Sequence, residues 1–244
     1  MEPEIDYFGQ DPGATKFGNF INYYSFHSAN ERIKNLSESM FPTITSNEKP
    51  VLVLDIGCNT GELTIELKSY LNILYPNSSI HVLAIDIDPI LIERANCSNI
   101  HNNIKFVQCN IMTKEGCETI IEYLDNFKAN MFDITFCFSV TMWIHLNSGD
   151  ERFIDFLKFL KTISRSIVIE PQPWKCYRNA QRRVKRAGGD FELFNTLHIR
   201  QNVGSVIEEV LGSETHEKVY ESSMSTWSRT IQSYIQLVNE RDKL

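Results

Sequence analysis

VLVLDIGCNTGE, residues 51–62, is an unbroken apolar run that ends in Asp55 and Gly57. A strand buried on both faces and opening into a turn has this form. The following ELTIELKSYL places Leu63, Leu67, Tyr70 and Leu71 on one side of a helix. The alternation repeats along the chain. IHVLAIDID (80–88) is a second strand, and Pro89 after it suits the first turn of a helix. IKFVQCNI (104–111) is a third strand, with a helix over about 114–127, and FDITFCFSV (132–140) is a fourth, with a helix at 150–163. SIVIEP (166–171) is the fifth, and helices follow at about 175–187 and 202–211. HEKVYES and RTIQSYIQLV are two late strands, close enough across SMSTWS to pair antiparallel. The order predicts an α/β fold: a doubly wound, mostly parallel seven-stranded sheet with an antiparallel edge.

The totals fit one domain. The chain has 244 residues, 42% of them hydrophobic, enough for one sizeable core. Residues 1–16 read as a flexible tail and 17–244 as a single domain. Apolar runs are too short to span a membrane. The opening MEPEIDYFGQ is acidic and polar, unlike a secretory signal. Six cysteines form no CxxC pair, so they are expected to be reduced, with no metal site, in a cytoplasmic or nuclear setting. The net charge of −7 argues against indiscriminate nucleic-acid binding. Residues 175–186, however, hold Lys175, Arg178, Arg182, Arg183, Lys185 and Arg186 and no acid. One basic stretch on an acidic body points to one localised anionic partner.

Ligands of such sheets bind beyond the carboxyl ends of the strands. A dinucleotide fold would carry G-x-G-x-x-G at the first turn, whereas this chain has G-C-N-T-G. Asp86, at the end of the second strand, is placed to accept both hydroxyls of a ribose, with Asp88 on the same face. Asn110 can meet an adenine edge with Ile111 against the ring, and the fourth strand ends at Phe138 and Ser139. These strand ends describe an adenosine pocket without a diphosphate cradle.

The D-x-G strand end, followed about thirty residues later by an acid at a second strand end, resembles the class I S-adenosylmethionine-dependent methyltransferases, which are Rossmann-like. That resemblance implies that Asp55, Gly57, Asn59 and Gly61 surround the methionine part of the cofactor, with Asn59 standing where a second glycine is usual. Three further stretches, GNFINYYSFHSANERI (18–33), SVTMWIHLNSGD (139–150) and EPQPWKCYR (170–178), resemble the bicoid-interacting-protein family of RNA 5′-phosphate methyltransferases. The likeness is strongest to its RNA 5′-monophosphate branch, which acts on pre-microRNA or histidine tRNA. In the branch that methylates triphosphate ends, a lysine is expected before the Trp; here Met142 stands there.

The resemblance implies a lid over residues 17–36, with Tyr23 and Arg32 on the cofactor, Arg32 pairing with its carboxylate. It places Asn22 and Tyr24 toward the phosphate. His145 is assigned phosphate binding rather than base catalysis. Pro171 and Pro173 stiffen the chain so that Gln172 and Trp174 form an extended wall. Lys175 and Arg178 would reach the phosphate first, and Arg178, Arg182 and Arg186, with Arg183 beside them, form a helical stripe for an RNA backbone. Glu170, an acid that would repel a dianion, is assigned to orienting a lid or a basic partner. The chemistry asks little more. A phosphomonoester has a second pKa of ~6 and is already anionic at neutral pH, so orientation matters more than a general base. A monomer acting on RNA is the expectation. A small-molecule methyltransferase and a non-catalytic cofactor-binding adaptor remain open alternatives.

Overall fold

The computed structural model describes residues 13–44 and 49–237. Among the described residues seven strands run β1 (Val51–Ile56), β2 (Ile80–Asp86), β3 (Ile104–Gln108), β4 (Phe132–Phe138), β5 (Ser164–Glu170), β6 (His216–Glu221) and β7 (Gln232–Gln236). They pair in the order β3-β2-β1-β4-β5-β7-β6. β1 to β5 are parallel, while β7 is antiparallel to both neighbours and lies between β5 and β6. Chain order reverses between β1 and β4, which creates the crevice where such sheets bind ligands.

The helices are α1 (Tyr23–Phe26), α2 (Ala29–Lys34), α3 (Glu62–Leu74), α4 (Pro89–Ser98), α5 (Lys114–Asn126), α6 (Thr141–Ile163), α7 (Trp174–Arg186) and α8 (Val203–Leu211). β1 is buried along its whole length, so its alternating residues feed both sides of the sheet. Leu52, Leu54 and Ile56 belong to one apolar cluster, with Phe153, Phe156 and Tyr177. Val51 and Val53 belong to the other, with Leu63, Leu67 and Phe41.

Several boundaries differ from expectation. β2, β3 and β4 end two or three residues early, because Ile87–Asp88, Cys109–Ile111 and Ser139–Val140 form the turns above the sheet. α6 begins at Thr141, not 150, and continues through a kink at Gly149 (φ 82°, ψ 175°). Met142, Ile144, His145 and Leu146 are buried, and that burial holds the extra turns in place. The expected tail boundary at residue 17 also falls too late, since Ala14 and Thr15 are buried; residues 1–12 lie outside the described residues.

Candidate active site

The site starts at the exit from β1. Gly57 has φ +76°, and a Cβ there would lie 2.2 Å from Val140 Cγ2, so the close approach of this turn to the end of β4 requires glycine. Asn59 also takes a left-handed conformation (φ 53°), which Asn tolerates better than most residues. Its backbone N–H donates to Asp86 Oδ2 at 2.9 Å, and its Nδ2 donates to the Phe20 carbonyl at 3.0 Å. Asp86 Oδ1 accepts from Asp88 N at 3.0 Å. Burial lifts Asp86 to about 6, working against these backbone hydrogen bonds.

These turns frame a cavity of about 440 Å³, within the range of ligand pockets. Gly57 and Asn59 line it from the β1 exit and Asp86 from β2. Asn110 and Ile111 line it after β3, and Phe138 and Val140 at the end of β4. Phe17, Gly18, Asn19 and Tyr23, upstream of the sheet, line it too. Asn19 Nδ2 donates to Asp88 Oδ2 at 2.7 Å, while its buried Oδ1 has no hydrogen-bond partner among the described residues. A buried acceptor left open on a cavity wall fits a ligand that brings a donor, as an adenosine-containing cofactor does.

Several expected cofactor residues stand behind this wall. Asp88 is the N-cap of α4, accepting from Ile90 N and Leu91 N, so its carboxylate is committed to the helix and to Asn19. Gly61 serves packing: at φ +83° it starts α3, and a Cβ would sit 2.6 Å from Phe106 Cζ. Asp55 is buried and accepts from Thr64 Oγ1 at 2.6 Å; burial lifts it, like Asp86, to about 6.

Arg32 does not reach the cavity. Its buried guanidinium donates to Glu170 through Nε (3.0 Å) and Nη2 (3.1 Å), to Tyr23 Oη at 2.6 Å and to Ser139 Oγ at 3.0 Å. Ser139 Oγ in turn donates to Glu170, so Ser139 belongs to this cluster and not to the cavity wall. Arg229, from the loop before β7, donates to both Glu170 and Ser139, and Trp227 Nε1 donates to Glu170 at 3.3 Å. Burial alone would raise the pKa of Glu170. Attraction and hydrogen bonding from Arg32, then Arg229 and Ser139, outweigh it and hold the carboxylate below its ordinary range. Glu170 is therefore a buried anchor for two arginines, not a surface that touches substrate.

The other expected substrate residues divide into buried braces and exposed cations. Gln172 is buried, accepting from Thr141 Oγ1 and Met142 N and donating to the Ser139 carbonyl, so it fastens β5 to the start of α6. Trp174 is buried and stacked on Phe194. His145 is wholly buried between Tyr177 Oη (Nδ1, 3.2 Å) and Asp150 Oδ1 (Nε2, 2.7 Å) and stacks on Phe153. Burial lowers its pKa despite Asp150, and it stands as a structural hydrogen-bonder rather than a phosphate ligand. Tyr24 donates to the Cys58 carbonyl at 3.2 Å and faces a separate groove with Glu62 and Glu66, away from the main cavity. Asn22 is the exposed N-cap of α1. Lys175, Arg178, Arg182, Arg183 and Arg186 are all exposed on α7, and Arg183 Nη1 donates to the Gly13 carbonyl at 3.3 Å.

Sequence reasoning missed Asn19, Trp143 and Arg152 on the cavity, and Trp227 and Arg229 in the buried cluster. The Trp143 indole crowds Gly18 (φ +76°), where a Cβ would lie 2.1 Å from Nε1, and it also lines the cavity. TWSR, residues 226–229, offered an isolated Trp and Arg between strands, a weak signal in one sequence.

Comparison with known proteins adds to this geometry. A family model described as bicoid-interacting protein 3 matches residues 132–236, and one described as a methyltransferase domain matches 53–162. The chain is 39% identical to a pre-miRNA 5′-monophosphate methyltransferase of Xenopus laevis over 91% of its length and 92% of the relative's. It is 35% identical to an RNA 5′-monophosphate methyltransferase of Homo sapiens, covering 90% of this chain and 80% of that one. Among solved structures, the magnesium protoporphyrin IX methyltransferase of Synechocystis superposes with a TM-score of 0.51 at 13% identity, covering 93% of this chain and all of that one. A plantazolicin methyltransferase superposes at 0.52 and 15% identity, over 90% of this chain and 89% of its own. Such distant structural likeness speaks for the fold alone.

Proposed function

The chain belongs to the bicoid-interacting protein 3 family of RNA 5′-monophosphate methyltransferases, and from this premise we propose that it methylates a 5′-monophosphate oxygen of a structured RNA, with S-adenosylmethionine as donor. The observation that carries the reading is the cavity at the β1/β4 switch point, lined by Gly57, Asp86, Asn110 and Ile111 from the β1–β3 side and by Phe138 and Val140 from the β4 side. Bound there, the cofactor would supply an electrophilic methyl group on sulfur. Asp86 would hold the ribose hydroxyls, Asn110 and Ile111 the adenine, and Asn19 Oδ1 would accept a donor from the ligand. Gly57 and Asn59 would let the backbone come close to the methionine part.

The remaining work is orientation. At neutral pH the phosphate oxygen already carries the attacking charge, so no residue must remove a proton. What the chain must provide is a fixed approach, with the oxygen roughly 3–3.5 Å from the methyl carbon. The exposed cations of α7 supply a track for the RNA backbone. Recognition of a hairpin or an acceptor stem by shape and by its 5′ end suits a protein whose cations are gathered on one helix. Residues 17–36 act in this reading as a lid within a single domain, and the protein works as a cytoplasmic monomer on pre-microRNA or tRNA.

The test is mass analysis of one hairpin RNA prepared with a 5′-monophosphate and with a 5′-hydroxyl, each incubated with protein and cofactor. A gain of one or two methyl groups on the phosphorylated RNA alone is expected. Equal transfer to both, or to neither, rejects the reading.

A further inference from the structure

Two guanidinium groups, Arg32 and Arg229, share the single carboxylate of Glu170, which leaves one positive charge uncompensated inside the cluster. Arg32 is well satisfied, with Glu170, Tyr23 and Ser139 all in reach. Arg229 is not. Its side chain is only 10% exposed and engages Glu170 and Ser139 through Nη1 alone. The opposite edge, Nε with Nη2, is the fork that grips a carboxylate or a phosphate with two parallel bonds. Nε has no hydrogen-bond partner among the described residues, and Nη2 has only the Cys176 sulfur at 3.9 Å. A buried donor left in that state is costly unless a ligand completes it.

Where the fork points is informative. Cys176 lies in the first turn of α7, a helix of 13 residues whose N-cap, Pro173, makes no side-chain capping bond. The Cys176 N–H is taken by the Pro173 carbonyl at 2.8 Å, but a helix N-terminus still carries a partial positive charge, so it and Arg229 favour the same sign of ligand. His27 adds another open position on the cluster: its buried Nδ1 has no hydrogen-bond partner among the described residues, and its ring lies edge-on to Trp227. The cluster meets the cofactor cavity at the exit of β4, where Ser139 is flanked by the lining residues Phe138 and Val140.

We infer that Arg229, together with the first turn of α7, is the seat of the RNA 5′-phosphate. The inference rests on the function proposed above and names the residue that recognises the reacting group. A carboxylate of the cofactor would offer the same fork similar chemistry. Phosphate is favoured because Arg229 is not among the residues lining the cofactor cavity, while its Nη2 lies against Cys176 at the start of the basic helix α7.

The experiment compares binding of one hairpin RNA bearing a 5′-phosphate or a 5′-hydroxyl to wild type, Arg229→Gln and Arg229→Lys, with S-adenosylhomocysteine affinity measured in parallel. Wild type should prefer the phosphate by roughly 10- to 100-fold, the scale of charge-assisted bonds. Arg229→Gln should shrink that preference to about threefold or less with cofactor affinity unchanged, and Arg229→Lys, which keeps the charge but not the fork, should fall between. A merely unstable variant would weaken both RNAs alike, and Arg229→Lys carries the test if Arg229→Gln does not fold. A preserved preference in both variants overturns the inference, as does a loss confined to cofactor affinity, which would assign the fork to the cofactor. If wild type itself methylates both RNAs equally, the functional reading fails and this inference falls with it. If wild type methylates only the phosphorylated RNA while the variants keep its binding preference, the inference alone fails.

Discussion

The Asn59 backbone N–H donates to Asp86 Oδ2 at 2.9 Å, tying the exit of β1 to the end of β2 across 27 residues of sequence. One carboxylate thus shapes the glycine turn and faces the cavity. Asp86→Asn nearly keeps the volume but turns an acceptor into a group that is half donor, so it disturbs both tasks. Cofactor affinity measured by calorimetry is expected to fall by roughly 10- to 100-fold, the worth of one or two charge-assisted hydrogen bonds. Undiminished binding would remove Asp86 from the ribose.

Asp55 and Asp86 both titrate near 6 in the fold because burial disfavours their charged forms. In an unfolded chain an Asp titrates at about 3.9. Between these values the folded state holds more protons than the unfolded one, so the stability contributed by these groups falls as pH rises from about 4 to about 6 and stays low above that. Asp55→Asn can still accept from Thr64 and has no charge to desolvate. Its urea midpoint relative to wild type should therefore shift upward between pH 4.5 and pH 7, by the equivalent of roughly 1–3 kcal/mol. A gap that does not move with pH contradicts the shift.

His145 is sealed between Tyr177 and Asp150. His145→Leu should cost about 1–3 kcal/mol of stability by leaving those partners unpaired. Methyl transfer per folded molecule, assayed well below the melting temperature, should stay within about threefold of wild type, a change under 1 kcal/mol. A selective collapse of turnover with stability intact would return the histidine to the chemistry.

The α7 cations are exposed and carry RNA in the proposed reading. Removing three of them, in Arg178→Gln, Arg182→Gln and Arg186→Gln together, should lower the slope of log affinity against log salt by roughly 2–3. The preference for a 5′-phosphate should survive, since it resides elsewhere. An unchanged slope would make this helix a solvated face only.

What could be read from residue order was the scaffold. Parallel strands buried on both faces write themselves as apolar runs, and VLVLDIG, HVLAID and FDITFCF each carry that mark. Asp86 and Asn110 followed from strand ends alone. Partnership between distant side chains was not legible. Asp88, directly before Pro89, did carry the mark of a helix cap, but that Asn19 would take its other carboxylate oxygen was not written in the sequence. Glu170 was an oddity in sequence because Arg32 and Arg229, which explain it, lie 138 and 59 residues away. His145 carries no mark of burial in sequence, because Tyr177, one of the partners that seal it, lies 32 residues away.

β7, the latest of the described strands in chain order, is an interior strand. During synthesis, β5 must wait with an unsatisfied edge until residues 232–236 have emerged from the ribosome and slotted in beside it. Ile167 and Ile169, wholly buried in the finished sheet, belong to that waiting strand. The interval is a window for aggregation. A nascent chain halted before residue 232 would carry its cofactor crevice on an unfinished sheet, and its dependence on chaperones should end abruptly once that last strand is delivered.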